Sequence, residues 1–196
     1  MFAEQGAFAD DRSDIVAAGC SRRAGKSHGE LYRLGRVASQ TSTPGLFIST
    51  TLGVATQILD IPRAIAKEKY GIATEYVTVR GSTFLQWPNG SRTWVAGCGN
   101  RGEIEKFRGP KYPEVVVDEV QSMPWLGDLA ENVLLPALLD MSGSLVLGGT
   151  PGVIPAGYWY DVSTGPGAHK WTLRQNIHLP ENTESWLARL RERSEE

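Results

Sequence analysis

The chain has 196 residues, which is enough for one domain with a full hydrophobic core. Its hydrophobic fraction of 41% and charged fraction of 21% are ordinary for a globular protein, and no apolar run reaches the roughly 18 residues of a membrane-spanning helix. The net charge of −2 excludes a uniformly basic surface, so a DNA partner would need local patches or several copies of the domain. The lack of a signal-peptide pattern and of zinc-type spacing favours a protein that is not secreted and keeps its 2 cysteines reduced.

The predicted elements of the first half alternate between strands and helices. Residues 14–18 form a short apolar run that predicts a buried strand, and apolar residues recur at helical spacing from Lys26 onward. A second strand is predicted at residues 45–50. It is followed by a predicted helix at residues 52–70, kinked or interrupted at Pro62.

The second half opens with a hairpin signal, because the Asn-Gly pair at residues 89–90 predicts an antiparallel pair of strands, 82–87 and 92–96. The other predicted elements are strands at 115–117, 144–147 and 171–176, a helix at 126–141, and a final helix capped by Asn182 or Thr183 with Trp186, Leu187 and Leu190 on one face. Strands that alternate with helices indicate a mostly parallel sheet covered on both faces. Such a sheet binds ligands at the carboxyl ends of its strands.

The first motif at such an end is CSRRAGKS, residues 20–27. Gly25, Lys26 and Ser27 match the phosphate-binding P-loop pattern, whereas Cys20 stands where that pattern has its first glycine. In such a loop the backbone N–H groups face the phosphates, the Lys26 ammonium reaches the β and γ oxygens, and the Ser27 hydroxyl binds Mg²⁺. The alternative is an ordinary helix start with a basic surface loop.

Two further motifs follow predicted buried strands. Asp118 and Glu119 end the run VVVDE, where Asp118 would hold Mg²⁺ and Glu119 would orient and deprotonate an attacking water. Thr150 lies in LGGTPG, where its hydroxyl can sense the γ-phosphate and report hydrolysis to a neighbouring segment. Taken alone, the first is also compatible with a strand running into a solvated turn, and the second with a Gly/Pro turn.

Six stretches between about Gln5 and Asp161 occur together in a specific order: EQGAF, CSRRAGKS, WPNGSR, KFRGPKYPEVVVDEVQSMP, LLPALLDMSGSLVLGGTPG and GYWYDV. In this the chain resembles the N-terminal ATPase of viral DNA-packaging terminase large subunits. The resemblance implies an α/β fold of the additional-strand (ASCE) P-loop class, with an antiparallel hairpin inserted into a mostly parallel sheet.

The resemblance also implies a function and partners. The domain would hydrolyse ATP with Mg²⁺ and thereby power movement of double-stranded DNA into a procapsid. Its partners would be that DNA, the portal protein, a small terminase subunit and further copies in a ring on the portal, with no membrane partner. It would work in the host cell cytoplasm and transiently at the procapsid portal, and we expect that the isolated domain can remain monomeric.

Residue roles carried over from the resemblance extend beyond Lys26 and Glu119. The phosphates would be surrounded by Ser21, Arg22, Arg23, Ala24, Gly25 and Ser27. Arg22 would respond to the γ-phosphate, with Arg23 as the competing choice. Gln5 would read the adenine edge. Arg108 would act on the ATP of a neighbouring subunit, although a surface salt bridge explains it equally well. Thr150 fits the family's coupling motif, which reports hydrolysis to a neighbouring segment.

The end of the chain sets the expected domain organisation. Terminase large subunits usually continue into an RNase H-like nuclease, whereas this chain stops at Glu196 without a matching cluster of acids. We expect an ATPase core at residues 1–178, a helical segment at 179–196 that begins a truncated lid or linker, and no nuclease activity. The rival interpretations are a single-core helicase or remodelling ATPase and a nucleotide-binding assembly module with little hydrolysis. A phosphate-release assay distinguishes such an assembly module from an ATP-hydrolysing motor.

Overall fold

A computed structural model describes residues 1–152, 155–180, 183, 185, 187 and 188. Its helices are α1 (Ala3–Asp10), α2 (Lys26–Gln40), α3 (Leu52–Tyr70), α4 (Leu126–Leu129), α5 (Leu135–Leu139) and α6 (Tyr158–Thr164). Its strands are β1 (Ile15–Cys20), β2 (Gly45–Ser49), β3 (Glu75–Val79), β4 (Ser82–Gln86), β5 (Arg92–Gly97), β6 (Glu114–Asp118), β7 (Ser144–Gly149) and β8 (Ala168–Trp171). Within the described residues, no helix is both long and apolar enough to span a membrane.

In the described part of the chain the strands form one sheet of 8 strands, in the order β3-β4-β5-β2-β6-β7-β1-β8. All neighbouring pairs are parallel except β3–β4 and β4–β5, which form the antiparallel meander around the predicted hairpin. β7 lies between β1 and β6, the two strands that lead into the candidate phosphate and acid motifs. This inserted strand confirms the predicted α/β fold of the additional-strand class.

The central strands are buried on both faces, so their side chains divide between two hydrophobic cores. Val116 of β6 packs with Leu31 and Leu34 of α2, while Val115 and Val117 belong to the opposite core. That second core is completed by the helical segment that follows β6. Alternation of consecutive residues between faces is the geometry of a strand, and it explains why a continuous β-branched run suits this position.

The N-terminal helix α1 is fixed to the sheet by a buried cation. Arg33 of α2 is fully buried and donates hydrogen bonds to the carbonyls of Phe8 (2.9 Å) and Asp11 (2.7 Å), at the C-terminal end of α1. The same guanidinium forms an ion pair with Glu114, at 3.0 Å, at the start of β6. A cation at a helix C-terminus satisfies carbonyls that have no partner within the helix. Arg33 therefore ties α1, α2 and β6 together.

Asp11, which follows α1, offers a test of how firmly this helix is held. Its carboxylate accepts hydrogen bonds from the Ser13 backbone (2.8 Å) and hydroxyl (2.7 Å), and lies 2.7 Å from Nε2 of His169 in β8. Burial acts to raise the pKa of Asp11, but these hydrogen bonds outweigh it and lower the pKa from 3.8 to about 2.

Because the folded-state pKa of Asp11 is depressed, its stabilising contribution is complete above about pH 4 and is lost as the pH falls towards 2. We expect Asp11→Asn to lower the free energy of unfolding by about 1–2 kcal/mol near neutral pH, and by much less near about pH 2, where the folded-state carboxylate is itself becoming protonated. Urea unfolding at both pH values measures this, with Asp10→Asn at the exposed neighbouring carboxylate as control. An equal loss at both pH values would contradict the assigned role of the charge.

Most of the predicted elements are confirmed, with two differences in outline. α3 is one helix with Pro62 inside it. The predicted helix at 126–141 is the segment formed by α4, a π turn (Ala130–Leu134) and α5, and it ends at Leu139.

One predicted strand was misplaced. The strand predicted at 171–176 is wrong, because β8 ends at Trp171 and a 3-10 turn (Leu173–Gln175) follows. A capping box explains this: Thr172 accepts a hydrogen bond from the Arg174 backbone, and Gln175 accepts one from the Thr172 backbone. Of the predicted final helix, Asn182, Trp186 and Leu190 lie outside the described residues.

Candidate active site

The loop at residues 21–25 joins β1 to α2 and has the backbone shape of a phosphate cradle. Gly25 (φ 84°) and Arg23 (φ 65°) both adopt left-handed conformations, and α2 begins immediately afterwards at Lys26. Alternating conformations of this kind direct successive backbone N–H groups into one concavity. Cys20, at the position of the missing glycine, is buried in the core beneath α2, and burial raises the pKa of its thiol to about 12. It is therefore a neutral core residue.

Hydrogen bonds from other segments hold the loop at four of its five residues. The hydrogen bonds run from Leu173 N to the Ser21 hydroxyl (2.8 Å), from Asn176 Nδ2 to the Arg23 carbonyl (2.8 Å), from Trp171 Nε1 to the Ala24 carbonyl (2.8 Å) and from Gln5 Nε2 to the Gly25 carbonyl (2.6 Å). Three of the four donors come from residues 171–176. These bonds use oxygens of the loop, so they do not occupy its N–H groups, although the N–H of Ser21 donates to the Trp171 carbonyl and that of Ala24 to the Ser21 carbonyl, both at 3.3 Å.

Lys26 brings the two strongest motifs into contact. Its ammonium, at the start of α2, forms an ion pair with Asp118 at the end of β6 and lies 3.4 Å from the carboxylate of Glu30. Burial disfavours the charged form of Lys26, but Asp118 and Glu30 outweigh it and raise the pKa, so the lysine is a cation. The motif at residues 20–27 and the acidic pair therefore form one site.

Glu30 is a carboxylate that the sequence analysis did not single out. It is fully buried one turn after Lys26, and burial together with the nearby Asp118 raises the pKa of its carboxyl group. Its Oε2 has no hydrogen-bond partner among the described residues. Gly148 makes room for it, because a Cβ there would overlap the Glu30 carboxylate and lie 3.0 Å from Asp118. Gly148, near the end of β7, is thus a requirement of the site.

Glu119 bends sharply away from β6. Its backbone is left-handed (φ 59°, ψ 34°), which is uncommon for a residue with a side chain, and its N–H donates to the Asp118 carboxylate at 2.7 Å. The side-chain amide of Gln121 donates to the Glu119 carboxylate and accepts from the Thr150 backbone at 3.0 Å. Thr150, predicted as a phosphate sensor, is therefore connected to Glu119 through one glutamine.

The remaining predicted residues differ in where they lie. Gln5 is buried against the loop, with its amide on the Gly25 carbonyl, and its adenine-reading role stays a prediction. Arg22 and Arg23 are both exposed on the loop, so the choice between them remains open.

The structure does not bring Arg108 to this cluster. All three of its guanidinium nitrogens are engaged on the surface, two with the Glu105 carboxylate at 2.7 and 3.0 Å and one with the Asn132 carbonyl at 2.9 Å.

The donor set fits Mg²⁺ bound together with phosphate. Within the described residues, no group of three or more His, Cys, Asp or Glu side chains could hold a metal ion alone. Ser27 and Asp118 supply a hydroxyl and a carboxylate, oxygen ligands of the type that Mg²⁺ takes when phosphate oxygens and water complete its shell. These two residues would hold the ion.

Comparison with solved structures identifies the fold of the chain, whereas comparison with family models and curated proteins finds no match. No protein-family model matches the chain, and no curated protein does. The large terminase of a thermophilic bacteriophage matches with a TM-score of 0.70 and 15% identity over 96% of this chain. The large terminase ATPase domain of Thermus phage P74-26 matches with a TM-score of 0.64 and 17% identity over 96% of this chain and 87% of its own. The chain has the fold of a large terminase ATPase domain.

The chain matches only part of the first large terminase, which is a longer molecule. This chain spans 50% of the first of these two proteins, the large terminase of the thermophilic bacteriophage. That large terminase has also been solved in complex with ADP and with ATP-gamma-S, and these structures match with TM-scores of 0.66 and 0.63 at 13% and 15% identity. In this chain the loop of residues 21–25 and Asp118 lie at the carboxyl ends of β1 and β6.

Proposed function

We propose that this chain binds Mg·ATP at the loop of residues 20–27 and hydrolyses it. The observation that carries the proposal is the contact between Lys26 and Asp118, which come from motifs far apart in sequence and meet at the ends of β1 and β6, on either side of β7. A charged lysine beside two carboxylates costs desolvation free energy, which is unusual for a purely structural element. A site that receives phosphate and a cation explains this arrangement.

Each residue has a proposed role that follows from its place. The N–H groups of Arg22, Arg23 and Gly25 and the positive end of α2 would bind phosphate oxygens, with Lys26 as the charged donor. Ser27 and Asp118 would hold Mg²⁺, which neutralises charge on the phosphates when bound. Glu119 would orient water and accept its proton, because its carboxylate follows Asp118 directly and is partly exposed.

We extend the proposal to a motor that moves double-stranded DNA into a procapsid. The large terminase fold supports it, as does the position of Glu119 directly after Asp118 at the end of β6. In that role several copies would form a ring on a portal protein, with a small terminase subunit as a further partner. The work would take place in the host cell cytoplasm and at the procapsid portal.

Lys26→Ala tests the site. We expect binding of Mg·ATP-gamma-S, measured by isothermal titration, to weaken by about 100-fold or more, because a buried charged partner of the phosphates is lost. Removing Lys26 also leaves Asp118 and Glu30 without their cation, so this variant should be less stable. Adding Glu30→Gln removes the buried acidic group beside Asp118 and should recover part of this stability without restoring binding. Lys106→Ala, at an exposed lysine, is the control. Unchanged affinity in the Lys26 variants would refute the assignment.

A further inference from the structure

Gln121 makes two hydrogen bonds that connect elements with different proposed roles. Its Nε2 donates to the carboxylate of Glu119, and its Oε1 accepts from the backbone N–H of Thr150 at 3.0 Å. Both ends of one side-chain amide are therefore engaged, one by the proposed base and one by the main chain that leaves β7. The glutamine is partly buried, so these contacts are shielded from competing water.

The main chain around Thr150 is itself fixed from the other side. The Thr150 carbonyl accepts a hydrogen bond from Nε1 of Trp159 in α6, at 3.2 Å. Gly149 lets the three groups approach, because a Cβ there would lie 2.7 Å from the Gln121 amide oxygen and 3.0 Å from the Trp159 ring. Hydrogen bonds thus connect Glu119 through Gln121 and Thr150 to Trp159 without a break. The close approach of these groups requires a glycine at position 149.

The Glu119 backbone explains why such a support is needed. Its left-handed conformation turns the chain out of β6 and into a short 3-10 turn (Val120–Ser122), so the strand no longer directs the side chain. Val120 anchors this turn in the core at 1% exposure, which leaves Gln121 facing back towards β7. A flexible glutamate would lose catalytic efficiency if its carboxylate sampled several rotamers, because a general base must lie within hydrogen-bond reach of its water.

We propose that Gln121 is a positioning residue that holds the Glu119 carboxylate in place for hydrolysis, and that Trp159 fixes the Thr150 peptide against which Gln121 is braced. This inference rests on the proposed ATPase function and deepens it by naming how the base is oriented. A glutamine suits the task because one side chain both donates and accepts. A carboxylate at 121 would repel Glu119, and an asparagine is one methylene too short to span both partners.

The first experiment separates turnover from binding. In Gln121→Leu, which keeps volume and removes both hydrogen bonds, kcat for ATP should fall about 10- to 100-fold, as expected for a lost hydrogen bond to a charged group. The Kd for Mg·ATP-gamma-S should stay within about twofold. Trp159→Phe, which removes the indole N–H and leaves a smaller aromatic ring, should also lower kcat, by a smaller factor. Gln86→Leu, the same change at a partly buried glutamine of β4, should leave both values unchanged.

The second experiment asks whether Gln121 acts through Glu119. In the Glu119→Gln background, Gln121→Leu should change the residual rate by less than about twofold, because the group that it positions is already gone. A merely structural role would lower the rate by the same factor in both backgrounds. If Gln121→Leu folds poorly, as judged by its thermal unfolding, Gln121→Asn supplies the same comparison while keeping an amide in nearly the same space.

The outcomes distinguish this inference from the function on which it rests. If wild-type protein releases no phosphate and Lys26→Ala binds nucleotide as well as wild type, the proposed function fails and the role of Gln121 with it. If Lys26 and Glu119 behave as proposed but kcat is unchanged in Gln121→Leu and Gln121→Asn, only the positioning role fails. Equal losses in the wild-type and Glu119→Gln backgrounds also overturn it.

Discussion

Glu119→Gln is expected to lower the rate of ATP hydrolysis by about 10²- to 10⁴-fold while Mg·ATP binding is retained. The amide can still hydrogen-bond to water and to Gln121, but it cannot accept the proton of the attacking water. The substitution keeps the size of the side chain, so the left-handed backbone at position 119 need not change. Phosphate release under saturating ATP gives the rate, and titration with ATP-gamma-S gives the affinity.

The matched control for this change is Glu103→Gln. Glu103 is a surface glutamate whose carboxylate forms an ion pair with Lys106 at 2.9 Å, and we expect its replacement to leave both hydrolysis and binding at wild-type values. A turnover that barely changes in Glu119→Gln would place the general base elsewhere. That result would leave the phosphate-binding part of the proposal intact.

Arg108→Ala is expected to cost about 10³- to 10⁵-fold in rate if this arginine serves the ATP of a neighbouring copy, since that is the range typical of a missing arginine finger. The structure shows how it could be released, because its partners Glu105 and Asn132 lie at the surface, where an ion pair contributes little. Activity per molecule of the wild-type chain should then rise steeply with concentration. The Arg108→Ala chain should bind ATP normally and show no such rise.

Mixing variants decides whether Arg108 acts between molecules. Arg108→Ala chains keep the base, and Glu119→Gln chains keep the arginine, so a mixture should recover activity that neither has alone. Arg101→Ala is the control, because Arg101 lies in the preceding 3-10 helix (Arg101–Phe107) and pairs with Asp128 at 2.8 Å. If dilute protein hydrolyses ATP as fast as concentrated protein and Arg108→Ala keeps that rate, Arg108 is a surface residue.

The sequence was sufficient to predict those elements that a short, continuous stretch of residues specifies. The β-branched run before Asp118 and the Asn-Gly turn at 89–90 each correspond to a strand pattern that a single segment specifies, and the structure confirms both. The alternation of strands and helices similarly predicted a parallel sheet with its motifs at one edge. The structure shows Lys26 and Asp118 together at that edge.

What the sequence could not supply depends on contacts between distant segments. α1 has almost no amphipathic pattern, and it is held by Arg33, whose partners lie 25 and 81 residues away. Gln121 resembles any polar residue in a turn until the neighbouring β7 brings Thr150 beside it. Glu30 follows Lys26 on a helix face that would ordinarily be solvated, and its burial becomes visible only once β6 and β7 are in place. Contacts of this kind exist only after the sheet has assembled, so the sequence of a single segment does not predict them.

The four bonds that hold residues 21–25 have a consequence for the order of folding. Their donors lie 20 residues away in α1 and about 150 residues away at the end of β8 and just beyond it, with separations of 147, 152 and 153. Contacts of such long range form late, because the chain between them must first be ordered. We therefore expect the cradle to take its shape only after β1 and β8 have paired, so nucleotide binding would report that this edge of the sheet has formed.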